Sequence, residues 1–266
     1  MVGTLDQEAI LQRIVAAIAG LPGIAAIALG GSAAAGLADR ASDLDVYVFY
    51  HDPLAAAADR ATQLRPLADE GTLEVGLLTF GLEDHLQMQG KLIELVFLDL
   101  DRLSAEAQRA YGPGVSSEGY TTALLNILFR SQVLYDATGE VTALRARLHA
   151  AYPDPTRVRL LREQPKVMRY YLELLRISQR RDDLLYVQHM CYSIQMIYFN
   201  LLFALNRQYH PGGKRLLAHA QRCAVQPPAL AKRWNDIARS PADDGALADR
   251  LEEMIDDLCR LIEADQ

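Results

Sequence analysis

Ile24-Ala25-Ala26-Ile27-Ala28-Leu29-Gly30-Gly31-Ser32, then ten residues, then Asp43-Leu44-Asp45-Val46-Tyr47-Val48, is the stretch that decides the fold of this chain. The apolar run Ile24–Leu29 predicts a buried strand. Two glycines after it let the backbone turn tightly and approach a ligand closely. Ser32 adds a hydroxyl where backbone N–H groups can cradle a phosphate. Asp43 and Asp45 stand two apart in a strand-like run, so their carboxylates share one face. Leu44, Val46 and Val48 point the other way, into a core. Neighbouring carboxylates repel each other, and a bound Mg²⁺ relieves the repulsion.

This segment resembles the signature of the nucleotidyltransferase superfamily that includes DNA polymerase beta and the antibiotic nucleotidyltransferases. The shared pattern is a small-residue turn ending Gly-Ser, about ten residues, then Asp-hydrophobic-Asp in a strand. The resemblance implies that Gly30, Gly31 and Ser32 hold the phosphates of a nucleoside triphosphate. It implies that Asp43 and Asp45 bind metal, two Mg²⁺ ions in all, roughly 3.5–4 Å apart in sites of this type. A third acid on a neighbouring strand completes such a site. Leu92-Ile93-Glu94-Leu95-Val96-Phe97-Leu98 is a candidate strand, and Glu94 is a lone acid within it. A lone acid in an apolar run is expensive unless it meets a cation. Glu94 is therefore expected as metal ligand or as the base that deprotonates the acceptor, with both roles open. Glu74 is its competitor. Asp99 and Asp101 sit where the strand ends and are expected in a loop.

The totals bound the rest. The chain has 266 residues, half of them hydrophobic, enough for one large or two modest domains with a full core. The three cysteines, Cys191, Cys223 and Cys259, are far apart and odd in number, which fits neither a disulfide framework nor a zinc site. Reduced thiols in a cytoplasmic protein are the expectation. A net charge of −7 argues against a nucleic-acid polymer as partner, while leaving room for a small phosphate ligand. The apolar stretch from Ile14 is preceded by Asp6 and Glu8, against a basic leader. Met190–Leu205 is interrupted by Ser193, Gln195 and Asn200 and reads as a central buried helix, so no membrane partner is expected.

Along the chain, Thr4 and Gln7 have the spacing of a capping box, before a helix carrying Ile10, Leu11, Ile14, Val15 and Ile18. A short helix is expected over Ala33–Leu37, a strand over Leu44–Tyr50 and a helix over Leu54–Leu67. Strands are expected over Leu73–Thr79 and Leu92–Leu98, with a helix near Glu83–Gln89 between them. Helices near Asp101–Tyr111 and Glu118–Phe129, a strand at Gln132–Tyr135 and a helix over Gly139–Ala151 follow. Tyr152-Pro153-Asp154-Pro155 is the clearest boundary, because its prolines stop the preceding helix. Beyond it only helices are read, near Arg157–Arg181, Asp183–Asn206, Lys214–Cys223, Pro228–Arg239 and Asp243–Glu263. The expected fold is an α/β (α+β) catalytic domain with a short mixed sheet, residues 1–152, then an all-α bundle, residues 153–266. This layout is similar to the two-domain aminoglycoside and lincosamide nucleotidyltransferases, in which the helical domain closes the cleft.

A triphosphate carries about four negative charges, so cations are expected at the cleft. Arg40 lies between the glycine turn and Asp43. Lys214 follows His210-Pro211-Gly212-Gly213, a place from which related two-domain enzymes bring a lysine to the triphosphate. Arg159, Arg162, Lys166, Arg169, Arg176 and Arg180 form a stripe on one helix, as a solvated face or as a surface for an anionic partner or a second subunit. His189, Tyr192, Gln195 and Tyr198 are polar groups on the central helix, as core hydrogen-bonders or as part of an acceptor pocket. The expected activity is Mg²⁺-dependent transfer of a nucleoside monophosphate, AMP from ATP, to a hydroxyl of a small acceptor, an antibiotic among the candidates. A protein or tRNA end is another acceptor class. The alternative is a nucleotide-binding regulatory or antitoxin-like protein of the same fold with little turnover. A homodimer is compatible with either.

Overall fold

The computed structural model of the protein describes residues 7–31, 43–78 and 81–265. The expected Thr4 cap and the helix at Ala33–Leu37 lie outside them. The chain forms two compact units. One holds the residues up to Glu106 together with Ile127–Ala151; the other holds Ala107–Asn126 and the chain from Tyr152 onward.

The first unit is built on a six-stranded sheet. Its strands are β1 (Ile24–Leu29), β2 (Leu44–Tyr50), β3 (Glu74–Leu78), β4 (Leu82–Met88), β5 (Lys91–Asp99) and β6 (Gln132–Asp136), in the order β3-β4-β5-β2-β1-β6. The central pair β2/β5 is parallel and every other pair is antiparallel, so the sheet is mixed as expected. One face is buried. Ile10, Leu11, Ile14 and Ile18 of α1 (Gln7–Ile18) and Leu64 of α2 (Ala57–Leu64) pack on Leu44, Val46 and Val48 of β2. Leu86 and Met88 of β4 and Ile93, Leu95 and Phe97 of β5 belong to the same core. The period-2 alternation of these strands sends Asp45, Tyr47, Glu83, His85 and Glu94 to the opposite face.

Residues 82–88 correct the sequence reading, which expected a helix there. They form β4, in a hairpin with β5 whose register pairs Met88 with Lys91. The two residues between, Gln89 (φ 55°) and Gly90 (φ 76°), are both left-handed, as a tight hairpin turn with the twist of the strands requires. The Asp69 carboxylate accepts both of their backbone N–H groups, at 2.9 and 2.7 Å. Inside β4, Asp84 faces the core and is fully buried. Its carboxylate accepts Nε and Nη2 of buried Arg60 at 2.7 and 3.0 Å, and the Gly76 N–H at 2.9 Å. A helix-like run of polar residues is thus held as a strand by one buried ion pair and a two-residue turn.

Helices α3 (Leu100–Tyr111) and α4 (Ala123–Arg130) run across the division between the units, and α5 (Glu140–Ala150) belongs to the first. Among the described residues, every element after Tyr152 is helical: α6 (Asp154–Arg180), α7 (Leu184–Leu205), α8 (Leu216–Ala220), α9 (Leu230–Arg239) and α10 (Leu247–Ala264). Residues 196–205 of α7 are buried all round and form the centre of this unit's core with Leu172, Trp234, Leu251 and Leu258. Among the described residues no helix is long and apolar enough to cross a membrane. All three cysteines are free, and burial raises the Cys191 and Cys223 thiols to about 11. The arginine stripe on α6 is largely engaged within its own unit. Arg169 binds Asp256 at 2.8 Å, Arg176 binds Glu252 at 2.7 Å, and Arg159 and Arg162 bind Glu163.

Candidate active site

The site is assembled on the opposite, polar face of the first unit's sheet, around its parallel pair. β1 ends at Leu29, and the Gly30 N–H donates to the Asp45 carbonyl at 2.8 Å, which anchors the turn to β2. Gly31 has φ +57°, and a Cβ there would overlap the Asp45 carboxylate. A Cβ on Gly30 would overlap the Tyr47 ring. Both glycines are therefore required by close approach.

Asp43 is exposed just before β2, and Asp45 is half-buried within it. In the parallel register Asp45 stands opposite Glu94 of β5. In the antiparallel register Glu94 stands opposite His85 of β4, and His85 opposite Glu74 of β3. Asp45, Glu94 and His85 thus form a row across three adjacent strands spaced ~4.8 Å apart. Glu74 is exposed on the edge strand, two strands from Glu94. Strand order thus puts Glu94, and not Glu74, beside Asp45. Asp99 and Asp101 lie at the far end of β5. There Asp99 accepts the Arg102 N–H and Asp101 pairs with His51 at 3.0 Å.

The electrostatics follow from this row. Burial raises the Glu94 carboxyl above its ordinary value, and the charges of Asp45, Asp43 and Glu83 raise it further while His85 opposes them. The Tyr47 phenol is raised to about 12, by burial first and then by Asp45, against a hydrogen bond from the Gly31 backbone N–H. Glu83, buried beside the row, meets His85 Nε2 through its Oε2 at 2.9 Å.

Among the described residues no three His, Cys, Asp or Glu side chains come together as a metal cage. Mg²⁺ seldom uses one. It is held by one or two carboxylates, water and substrate phosphates. The hard-oxygen pair Asp45/Glu94, with Asp43 exposed next to it and charges that raise the Glu94 carboxyl, suits that chemistry.

Of the residues singled out from the sequence, the first unit brings Gly30, Gly31, Asp43, Asp45 and Glu94 to one end of β1, β2 and β5. Ser32 and Arg40 lie outside the described residues. Lys214 belongs to the second unit, in the connection between α7 and α8. The sequence reading missed Tyr47, Glu83 and His85. The last two were hidden by the helix expected over 83–89; the alternation of Asp84, Leu86 and Met88 was the available signal. On α7, His189 and Tyr192 are exposed, while Tyr198 is fully buried against Trp234.

Residues 11–99 match the family model of the nucleotidyltransferase domain, and residues 120–216 match a domain of unknown function, DUF4037. The N-terminal part of the chain is thus a nucleotidyltransferase domain, and nucleotidyl transfer is the general activity that such a domain supports. The crystal structure of a nucleotidyltransferase-like protein from Exiguobacterium sibiricum is similar over 97% of this chain and 74% of its own, at 12% identity and a TM-score of 0.49. No curated protein sequence matches the chain.

Proposed function

We propose that the protein is a cytoplasmic, Mg²⁺-dependent nucleotidyltransferase that moves AMP from ATP to a hydroxyl of a small acceptor, an antibiotic being one candidate. The observation that supports this most is the in-register pair Asp45/Glu94, set beside a glycine turn with no room for side chains. Asp43, Asp45 and Glu94 would hold the two Mg²⁺ ions, which supply neutralisation of charge on the attacking and leaving oxygens. Gly30, Gly31 and Ser32 would receive the β- and γ-phosphates through backbone N–H groups, with Arg40 as a cation for the same phosphates. The acceptor oxygen forms its bond to the α-phosphorus as the bond to the bridging oxygen breaks, and pyrophosphate leaves. The hydroxyl proton passes to Glu94. Most of the acceleration would come from positioning and charge neutralisation.

The test is thermal unfolding with Mg²⁺ and each of the four nucleoside triphosphates, for wild type and for Asp43→Asn/Asp45→Asn. A nucleotide at about a hundred times its Kd adds roughly 2.7 kcal/mol, several degrees at this size. The expected result is a Mg²⁺-dependent rise with ATP that the double variant loses, followed by pyrophosphate release in a screen of hydroxyl acceptors. No rise with any nucleotide refutes the reading.

A further inference from the structure

Tyr47 stands on β2 two residues beyond Asp45 and on the same face. Two contacts join it to the glycine turn, and its strand makes a third. Its ring lies directly on the Gly30 backbone, filling the volume that a Cβ would need. Its phenol oxygen accepts the Gly31 N–H. The strand that carries it also accepts the Gly30 N–H, through the Asp45 carbonyl at 2.8 Å. Gly31 is left-handed, a conformation that glycine enters freely and also leaves freely. A turn of two glycines has no side chains of its own to hold its shape. In this chain the restraint comes from a neighbouring strand.

We infer that Tyr47 is the positioning residue of the phosphate turn: ring and hydroxyl together hold Gly30 and Gly31 in the shape that receives a nucleoside triphosphate. This rests on the nucleotidyl-transfer reading of the same site. What the side chain offers is a hydrogen bond from the turn and a flat apolar surface against it. No charge goes to the triphosphate from Tyr47, and its effect on binding runs through the geometry of the turn.

Two variants separate the parts. Tyr47→Phe keeps the ring and removes the hydrogen bond; Tyr47→Leu removes both. Binding of Mg²⁺ with whichever of the four nucleoside triphosphates wild type holds best is measured by calorimetry, along with the melting temperature of each ligand-free protein. A neutral hydrogen bond predicts that Tyr47→Phe binds about two- to tenfold more weakly, with Tyr47→Leu weaker still. The ligand-free melting temperature of Tyr47→Phe should stay close to wild type, and adenosine without phosphates should distinguish wild type from Tyr47→Phe little. If wild type binds and Tyr47→Phe binds as tightly, with Tyr47→Leu matching it or unfolded, Tyr47 does not shape the turn. If Tyr47→Phe loses triphosphate and adenosine alike, its role is general stability and the inference falls. If wild type binds no nucleotide, the nucleotidyl-transfer reading fails, and this inference falls with it.

Discussion

Replacing Asp84 by alanine should damage this protein more than replacing any acid of the candidate site. Asp84 is 0% exposed, and its partner Arg60 is 3% exposed. The carboxylate accepts three hydrogen bonds, two from Arg60 and one from the Gly76 N–H, and Arg60 donates a fourth to the Ala55 carbonyl at 2.8 Å. The guanidinium also lies 4.7 Å from the centre of the Phe97 ring. Counting three charge-assisted bonds at about 1.5–3 kcal/mol each gives a gross loss of about 4.5–9 kcal/mol. That sum ignores relaxation and water entry. Direct loss of one partner of a buried pair, about 3–5 kcal/mol, is the better figure, because it already includes the stranded charge. At about 2–4 °C per kcal/mol, the expected fall in melting temperature is about 6–20 °C. Arg60→Met/Asp84→Leu removes both charges together and should recover most of that loss, since apolar replacement of a buried pair is often close to neutral. Urea and thermal unfolding of the two single variants and the double variant form the cycle. Asp84→Ala costing under about 1 kcal/mol, or a double variant as unstable as the sum of the singles, would refute the claim that this pair holds β4. The pair matters to the site because Glu83 and His85 flank Asp84 and face the opposite side of the sheet. A slip of β4 by one residue would turn them into the core.

Two further outcomes follow from the site. Glu94 is raised in the folded protein, so the folded state binds its proton more tightly than the unfolded state does. Stability should therefore fall as pH rises from the ordinary glutamate value, about 4.3, through the raised folded value. Glu94→Gln lacks this slope, so its melting temperature should gain on wild type across that window; a difference constant from pH 4 to 8 would contradict it. Gly31→Ala places a Cβ against the Asp45 carboxylate at φ +57°. The left-handed strain alone is about 1–2 kcal/mol, and calorimetry should show Mg²⁺-nucleotide binding lost well beyond what that destabilisation explains.

Much of this could be read from the chain because its signals are local. The run Ile24–Leu29, the two glycines and the alternation Asp43/Asp45 against Leu44/Val46/Val48 specify strand, turn and strand without reference to anything distant. The prolines at 153 and 155 likewise mark the break between α5 and α6. The central helix α7 announced itself by apolar residues on every face. The basic stripe of α6 was legible as a stripe, but its engagement with Asp256 and Glu252 of α10 depends on which helix packs beside it.

The failure over residues 83–89 shows where local reading stops. Glu83, Asp84, His85 and Gln87 are polar and have no strand propensity to speak of. They form a strand because Arg60, 24 residues away, buries a charge that Asp84 meets, and because Asp69 ties down the turn. By itself the sequence determined the residue types of the site: two acids on one strand face, a third in an apolar run, and a glycine turn before them. Only the tertiary structure decided which third acid stands beside Asp45, and that His85, Glu83 and Tyr47 share its face. The choice between Glu94 and Glu74 is one of strand order, β5 against β2 with β3 at the edge. Strand order depends on long-range pairing and core packing, which no window of sequence contains.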